Sequence, residues 1–243
     1  MAERRLTFRP PLWATLLLIA ACALFASAGF WQLDRQGEKI ALFDAFDRGG
    51  DTTALAGPVA DELAAGLRYQ SVVISGRYDA SRQILLDNIS RDGRPGYEVL
   101  TPLLTGDIAV LVNRGWVPAA ARRDELPRVS ISDEPRRIRG RLDKLPRPGL
   151  RLAGELPAAD APWPRRLLYP VASEIAAQLG YPVTSYQILL TPEAADGYRR
   201  DWQPKVSGPD THLGYAVQWF AFAVTAVVIY LILNLKKQRA SSS

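Results

Sequence analysis

The 243 residues include one histidine, one cysteine and one methionine, and those scarcities exclude much chemistry. A zinc site built from the chain's own His and Cys lacks ligands. A copper carrier needs several soft donors, and the only methionine is Met1. A Ser-His-Asp hydrolase would have to use the single imidazole, His212. A lone Cys22 forms no internal disulfide. The sequence contains no G-x-G-x-x-G, P-loop, H-E-x-x-H, G-x-S-x-G or S-x-x-K motif. Asp87 beside Asn88 could serve catalysis, but a polar pair ending a strand before a Gly-rich turn accounts for it better. Arg136, Arg137, Arg139 and Arg141 could bind an anion or lipid headgroup, but the solvated face of a strand accounts for such a run better. Arg165 and Arg166, between Trp163 and Tyr169, are of the types enriched at binding interfaces, with ordinary loop packing as the alternative. His212 could be a functional ligand, or an interfacial histidine that only hydrogen-bonds headgroups or backbone.

The charge pattern says where these residues must sit. The net charge is +5, but residues 34–210 hold 24 basic and 24 acidic side chains. The excess lies in the flanks: Arg4, Arg5, Arg9, Lys236, Lys237 and Arg239 against Glu3. Each flank borders a long uncharged run, a membrane-topology pattern and not a nucleic-acid footprint. The expected organisation is a cytoplasmic flank (1–11), a transmembrane helix (12–33), a periplasmic domain (34–210), a second transmembrane helix (211–235) and a cytoplasmic tail (236–243). Both termini then face the cytoplasm of a bacterial inner membrane, and the lipid bilayer is one partner. The first run has rivals. Ala26-Ser27-Ala28 resembles a signal-peptide cleavage site, and Ile19-Ala20-Ala21-Cys22 resembles a lipoprotein box. The chain nevertheless stays apolar past both, through Phe30, Trp31 and Leu33.

Between the runs, Ile40, Phe43 and Phe46 continue the first helix outward along one face until Gly49-Gly50. Residues 51–66 read as a loop or short helix. Strand patterning follows at 69–78, 83–88, 97–104, 108–114, 136–142 and 186–190, with turns at 91–96 and 105–107. In 136–142 the arginines face out while Ile138 and Leu142 face in. Residues 143–170 are Pro-rich and irregular, and 171–179 form a short amphipathic helix closed by Gly180. The predicted fold is therefore two transmembrane α-helices flanking one α+β extramembrane domain, with a mainly antiparallel sheet that can close into a small barrel.

Four segments carry a family resemblance. Gly29-Phe30-Trp31-Gln32-Leu33-Asp34-Arg35 resembles the G-x-W-Q-L-x-R motif of the surfeit-locus-protein-1 family. Pro95 to Leu103 is similar to that family's central segment, and Val110-Leu111-Val112-Asn113-Arg114-Gly115-Trp116-Val117-Pro118 to its most recognisable block. His212 to Phe220 resembles its second membrane helix. The order is right from about residue 29 to residue 237.

The family consists of assembly factors for haem-copper respiratory oxidases, chiefly cytochrome c oxidase. The resemblance implies a non-enzymatic role in handling haem a as the catalytic subunit matures. That subunit and the haem a synthesis enzyme become the expected protein partners, and the first helix is expected to be retained. It also implies that His212, as the metal ligand, binds haem, with Tyr215 and Trp219 beside it at helical spacing. One histidine supplies one axial ligand, so another must come from elsewhere. Arg35 and Lys205 are candidates to pair with the propionates. Trp31, Arg35, Arg114, Trp116, Arg165 and Arg166 are the candidate interface residues, and no catalytic residue is expected. A cofactor-free scaffold holding oxidase subunits together is the alternative, and an enzyme with an unrecognised site is a third reading.

Overall fold

In chain order the elements are β1 (Arg5–Phe8), α1 (Leu12–Gly49), β2 (Leu55–Ala56), α2 (Asp61–Ala64), β3 (Ser71–Tyr78), β4 (Ile84–Arg91), β5 (Arg94–Thr105), β6 (Ile108–Pro118), β7 (Pro135–Lys144), β8 (Arg165–Leu167), α3 (Ala172–Leu179), β9 (Val183–Leu190), α4 (Pro209–Asn234) and β10 (Leu235–Gln238). The structure, a computed structural model, describes residues 5–50, 53–122, 125–146, 157–158, 160–204, 206 and 208–238. It divides into two compact units, residues 1–43 with 205–243, and residues 44–204.

The first unit is a pair of helices. Both α1 and α4 are long and apolar enough to cross a membrane, and only 6% of each apolar window is buried by protein. At about 1.5 Å per residue, α4 reaches about 39 Å. Residues 12–33 of α1 are uncharged and rich in Leu and Ala, and the helix continues without a break to Gly49. Contacts at 15 with 230, 22 with 223 and 32 with 212 make the pair antiparallel. Close approach depends on Gly29, where an added Cβ would fall 2.7 Å from the Phe220 ring. Beyond the helices, β1 and β10 pair antiparallel, Arg5 opposite Gln238 and Phe8 opposite Leu235.

The second unit is an eight-stranded sheet in the order β2-β3-β7-β9-β6-β5-β4-β8, with β3 also pairing with β5. That extra contact, Tyr78 opposite Leu103, closes β3, β7, β9, β6 and β5 into a five-stranded barrel. Pairing is mainly antiparallel; β6–β9, β2–β3 and β4–β8 are parallel. Two-residue turns set the register of the hairpins. Asp92 and Gly93 both take positive φ between Arg91 and Arg94, and Gly106 does so at the β5–β6 turn.

Val72, Ile74, Tyr78, Leu103, Val110, Val112, Ile138, Leu142 and Ile188 form the main core. Leu111, Leu100, Ile84 and Leu86 pack with Ile175 and Leu179 of α3 in a second cluster. Strands β5 and β6 are therefore covered on both faces, which is why Val110–Val117 show no alternation of exposure. β7 keeps the expected alternation, Ile138 and Leu142 buried, Arg137 and Arg139 exposed. The α3 helix ends where Gly180 adopts φ 80°. One expectation is corrected: Asp87 and Asn88 do not end a strand. They occupy an irregularity within β4, where the register shifts between Leu86 and Ile89.

Candidate functional site

His212 stands in the first turn of α4, which Pro209 opens with its fixed φ and missing N–H. Its Nδ1 lies 2.8 Å from Oε1 of Gln32 on α1. Gln32 is 9% exposed, a buried polar residue near the end of the uncharged stretch of α1. Nδ1–H donates to the amide oxygen, leaving Nε2 with its lone pair and no partner among the described residues. Trp219 is half-buried and stacks on Phe25 of α1, centroids 5.9 Å apart at 29°. Tyr215 is exposed. The two aromatic rings expected beside His212 thus differ in role: Trp219 helps pack the helix pair, and Tyr215 remains open.

These residues suit a haem. A ring nitrogen of His212 has no partner among the described residues, and the aromatic ring of Tyr215 is exposed about one turn on. A haem held through His212 would supply a redox-active iron. Among the described residues no three His, Cys, Asp or Glu side chains group as a metal site. Arg35 pairs with Glu38 at 2.7 Å and lies 5.8 Å from the Trp31 ring centroid. Both partners are exposed, so the pair contributes little and leaves the guanidinium redirectable. Lys205 lies outside the described residues.

The interface candidates in the barrel domain are placed differently from expectation. Arg114 is 3% exposed. It donates to the Asp196 carbonyl and Gln83 Oε1 at 2.8 Å, to the Val129 carbonyl at 3.2 Å and to Thr101 Oγ1 at 3.3 Å. Burial lowers its pKa, against the raising influence of Tyr198, Tyr78 and Asp196. Trp116 is also buried, its Nε1 donating to the Ile89 carbonyl at 3.0 Å. Arg165 is buried, lies 4.3 Å from the Trp163 ring centroid and donates to the Ala161 carbonyl and Gln178. These three side chains are structural anchors within the domain, too enclosed to meet a partner directly. Arg166 and Trp31 are exposed.

The basic face of β7 is largely engaged. Arg136 pairs with Asp196 at 2.5 Å, Arg139 reaches Ser71, and Arg141 donates to the Phe46 carbonyl while stacking 4.4 Å from its ring centroid. Arg139 and Arg141 line an open cleft of about 330 Å³ with Phe46 and Trp202. The sequence reading also overlooked a buried polar group: Asn113 donates to Glu98 at 2.9 Å and to Gln187 at 3.0 Å. Gln32 lies within the G-x-W-Q-L-x-R segment. Its signal was a strong amide acceptor at the end of an apolar run.

The known proteins resolve the lineage. The model of the SURF1 family matches residues 19–224. The chain belongs to the SURF1 family. The matched span includes Gln32 and His212. Within the family, the chain is 27% identical over 233 residues to the SURF1-like protein of Rickettsia felis, covering 89% of this chain and 95% of that one. To the SURF1-like protein of Rickettsia conorii it is 28% identical over 234 residues, 89% of each. It is 29% identical over 127 residues to Surfeit locus protein 1 of Takifugu rubripes, covering 45% of this chain and 52% of that protein. That alignment thus spans about half the length of the fish relative.

Proposed function

We propose that this SURF1-family chain is an assembly factor for a haem-copper respiratory oxidase, cytochrome c oxidase. It binds haem a through His212 and assists its delivery to the catalytic subunit. Two spans in a bacterial inner membrane, with both termini cytoplasmic, would hold His212 at the periplasmic boundary. The haem a synthesis enzyme is the donor in this reading. The observation that carries it is the single imidazole, with one nitrogen held by Gln32 and the other carrying an uncommitted lone pair. A chain with one ligand to give grips the cofactor through one bond, which suits release to an acceptor offering more. Tyr215 would offer an aromatic wall, and Arg35, loosely tied to Glu38, a cation for a propionate. His212 neither donates nor removes a proton in this role, so no catalytic group is needed.

The test is the visible spectrum of the full chain, purified after co-expression with the haem a synthesis enzymes. A stoichiometric Soret band lost in His212→Ala and kept in Tyr215→Phe supports the reading. A colourless wild-type protein would put the cofactor-free scaffold ahead. A full, unshifted band in His212→Ala would remove the ligand assignment.

A further inference from the structure

We infer that Gln32 is the positioning residue for His212: its amide oxygen takes the Nδ1 proton, fixes the ring's tautomer and plane, and so makes Nε2 the ligating atom. This rests on the haem reading above and extends it to a second residue on the other helix. Three observations carry it. The Nδ1–Oε1 distance of 2.8 Å is that of a well-formed hydrogen bond. Gln32 is almost fully buried although its neighbours Phe30 and Trp31 are exposed, so the helix turns its amide inward and its aromatics outward. At the end of an apolar span a buried amide without a partner is costly, and His212 is the partner of this one.

The chemistry follows from the neutral imidazole having one N–H and one lone pair. Ligation needs the lone pair to face the metal. A histidine with both nitrogens unconstrained divides its population between tautomers and ring flips, and binds with only part of it. An acceptor at Nδ1 removes that division, as carbonyls and carboxylates do behind metal-bound histidines elsewhere. An amide does so without a charge. A carboxylate in its place would pull on the Nδ1 proton and make the ring a stronger ligand. Gln32 thereby favours binding while keeping the bond weak enough to break.

The chain contains one histidine, so nitrogen-15 histidine labelling of the full chain in detergent yields the spectrum of one imidazole. Without haem, wild type is expected to carry its proton on Nδ1, and Gln32→Leu to lose that preference. Haem affinity should then fall about ten- to a hundredfold in Gln32→Leu. Gln32→Glu should keep the tautomer, bind haem more tightly and shift its reduction potential negative. Should Gln32→Leu fail to accumulate, Gln32→Asn, which retains an amide but shortens its reach, is expected to show the same two losses. An unchanged tautomer, or unchanged haem affinity, in a folded Gln32 variant overturns the inference alone. Equal haem uptake by wild type and His212→Ala overturns the haem reading, and the inference falls with it.

Discussion

Arg114 and Gln83 meet at 2.8 Å in the buried interior of the barrel domain, and no carboxylate accepts a hydrogen bond from this guanidinium among the partners described. Its donors go instead to side-chain and backbone oxygens of Gln83, Thr101, Val129, Ser130 and Asp196. One side chain thus ties β5, β6 and the residue that precedes β4 to the loops around 129 and 196. Truncation leaves several buried acceptors unmatched. Arg114→Met is expected to cost about 3 kcal/mol or more, read by thermal or urea unfolding of the detergent-solubilised chain. Arg114→Lys should recover little, because an ammonium cannot reproduce the planar fork.

How much of this was legible in the sequence differs between the units. The uncharged runs and the flanking charges showed both helices, and the spacing of Ile40, Phe43 and Phe46 carried α1 to Gly49. The barrel strands were visible, but the roles of Arg114 and Trp116 were not. Both lie in a continuous buried stretch of a strand covered on two faces, so no alternation marks which side chains point where. The carbonyls that satisfy Arg114 lie in loops without periodicity. The link from Gln32 to His212 spans 180 residues, a separation at which local pattern says nothing.

Gly29 sets the separation of the helix pair. An added Cβ would press on the Phe220 ring, which itself packs edge-on against Phe30 at 5.4 Å. Gly29→Leu is expected to force the helices apart at a cost of about 1–3 kcal/mol. Cysteine cross-linking between positions 22 and 223 would report it as a loss of yield, since Cys22 Sγ lies 3.9 Å from the Ala223 carbonyl.

The barrel domain should weaken in alkali. Burial, with a further push from Asp143 and against Arg68, raises the Tyr69 phenol to about 12 from its ordinary value of 10.0. The unfolded chain releases that proton first, so stability is full below pH 10.0 and lost as the pH rises towards about 12. Burial also raises Tyr78, Tyr181 and Tyr186. The Tyr69 hydroxyl has no hydrogen-bond partner among the described residues. Tyr69→Phe should therefore keep stability at neutral pH and soften the alkaline loss, measured as unfolding midpoints across that range.

The chain's ends should share one side of the membrane. The basic flanks require it by charge, and the pairing of Arg5–Phe8 with Leu235–Gln238 brings them together. Reporter fusions after residue 100 and after residue 243 are expected to report opposite compartments. N-terminal sequencing should find residues 12–33 retained; a mature chain beginning near Gly29 would contradict the two-span arrangement.

The strand that completes the barrel is also the last of its five to be synthesised. Until Val183–Leu190 is available, β6 and β7 each expose an edge, because β9 is the stave between them. Its partners on β6 lie more than 70 residues earlier, Ala109 against Val183. Long-range closure of this kind is slow and leaves sticky edges while it waits. A ribosome finishing β9 has only 18 residues left to add before α4 begins. Completing the barrel and committing the second helix to the bilayer are therefore consecutive events in the chain's birth. A stall or truncation before residue 183 releases an open sheet that lacks both its closing strand and its second anchor.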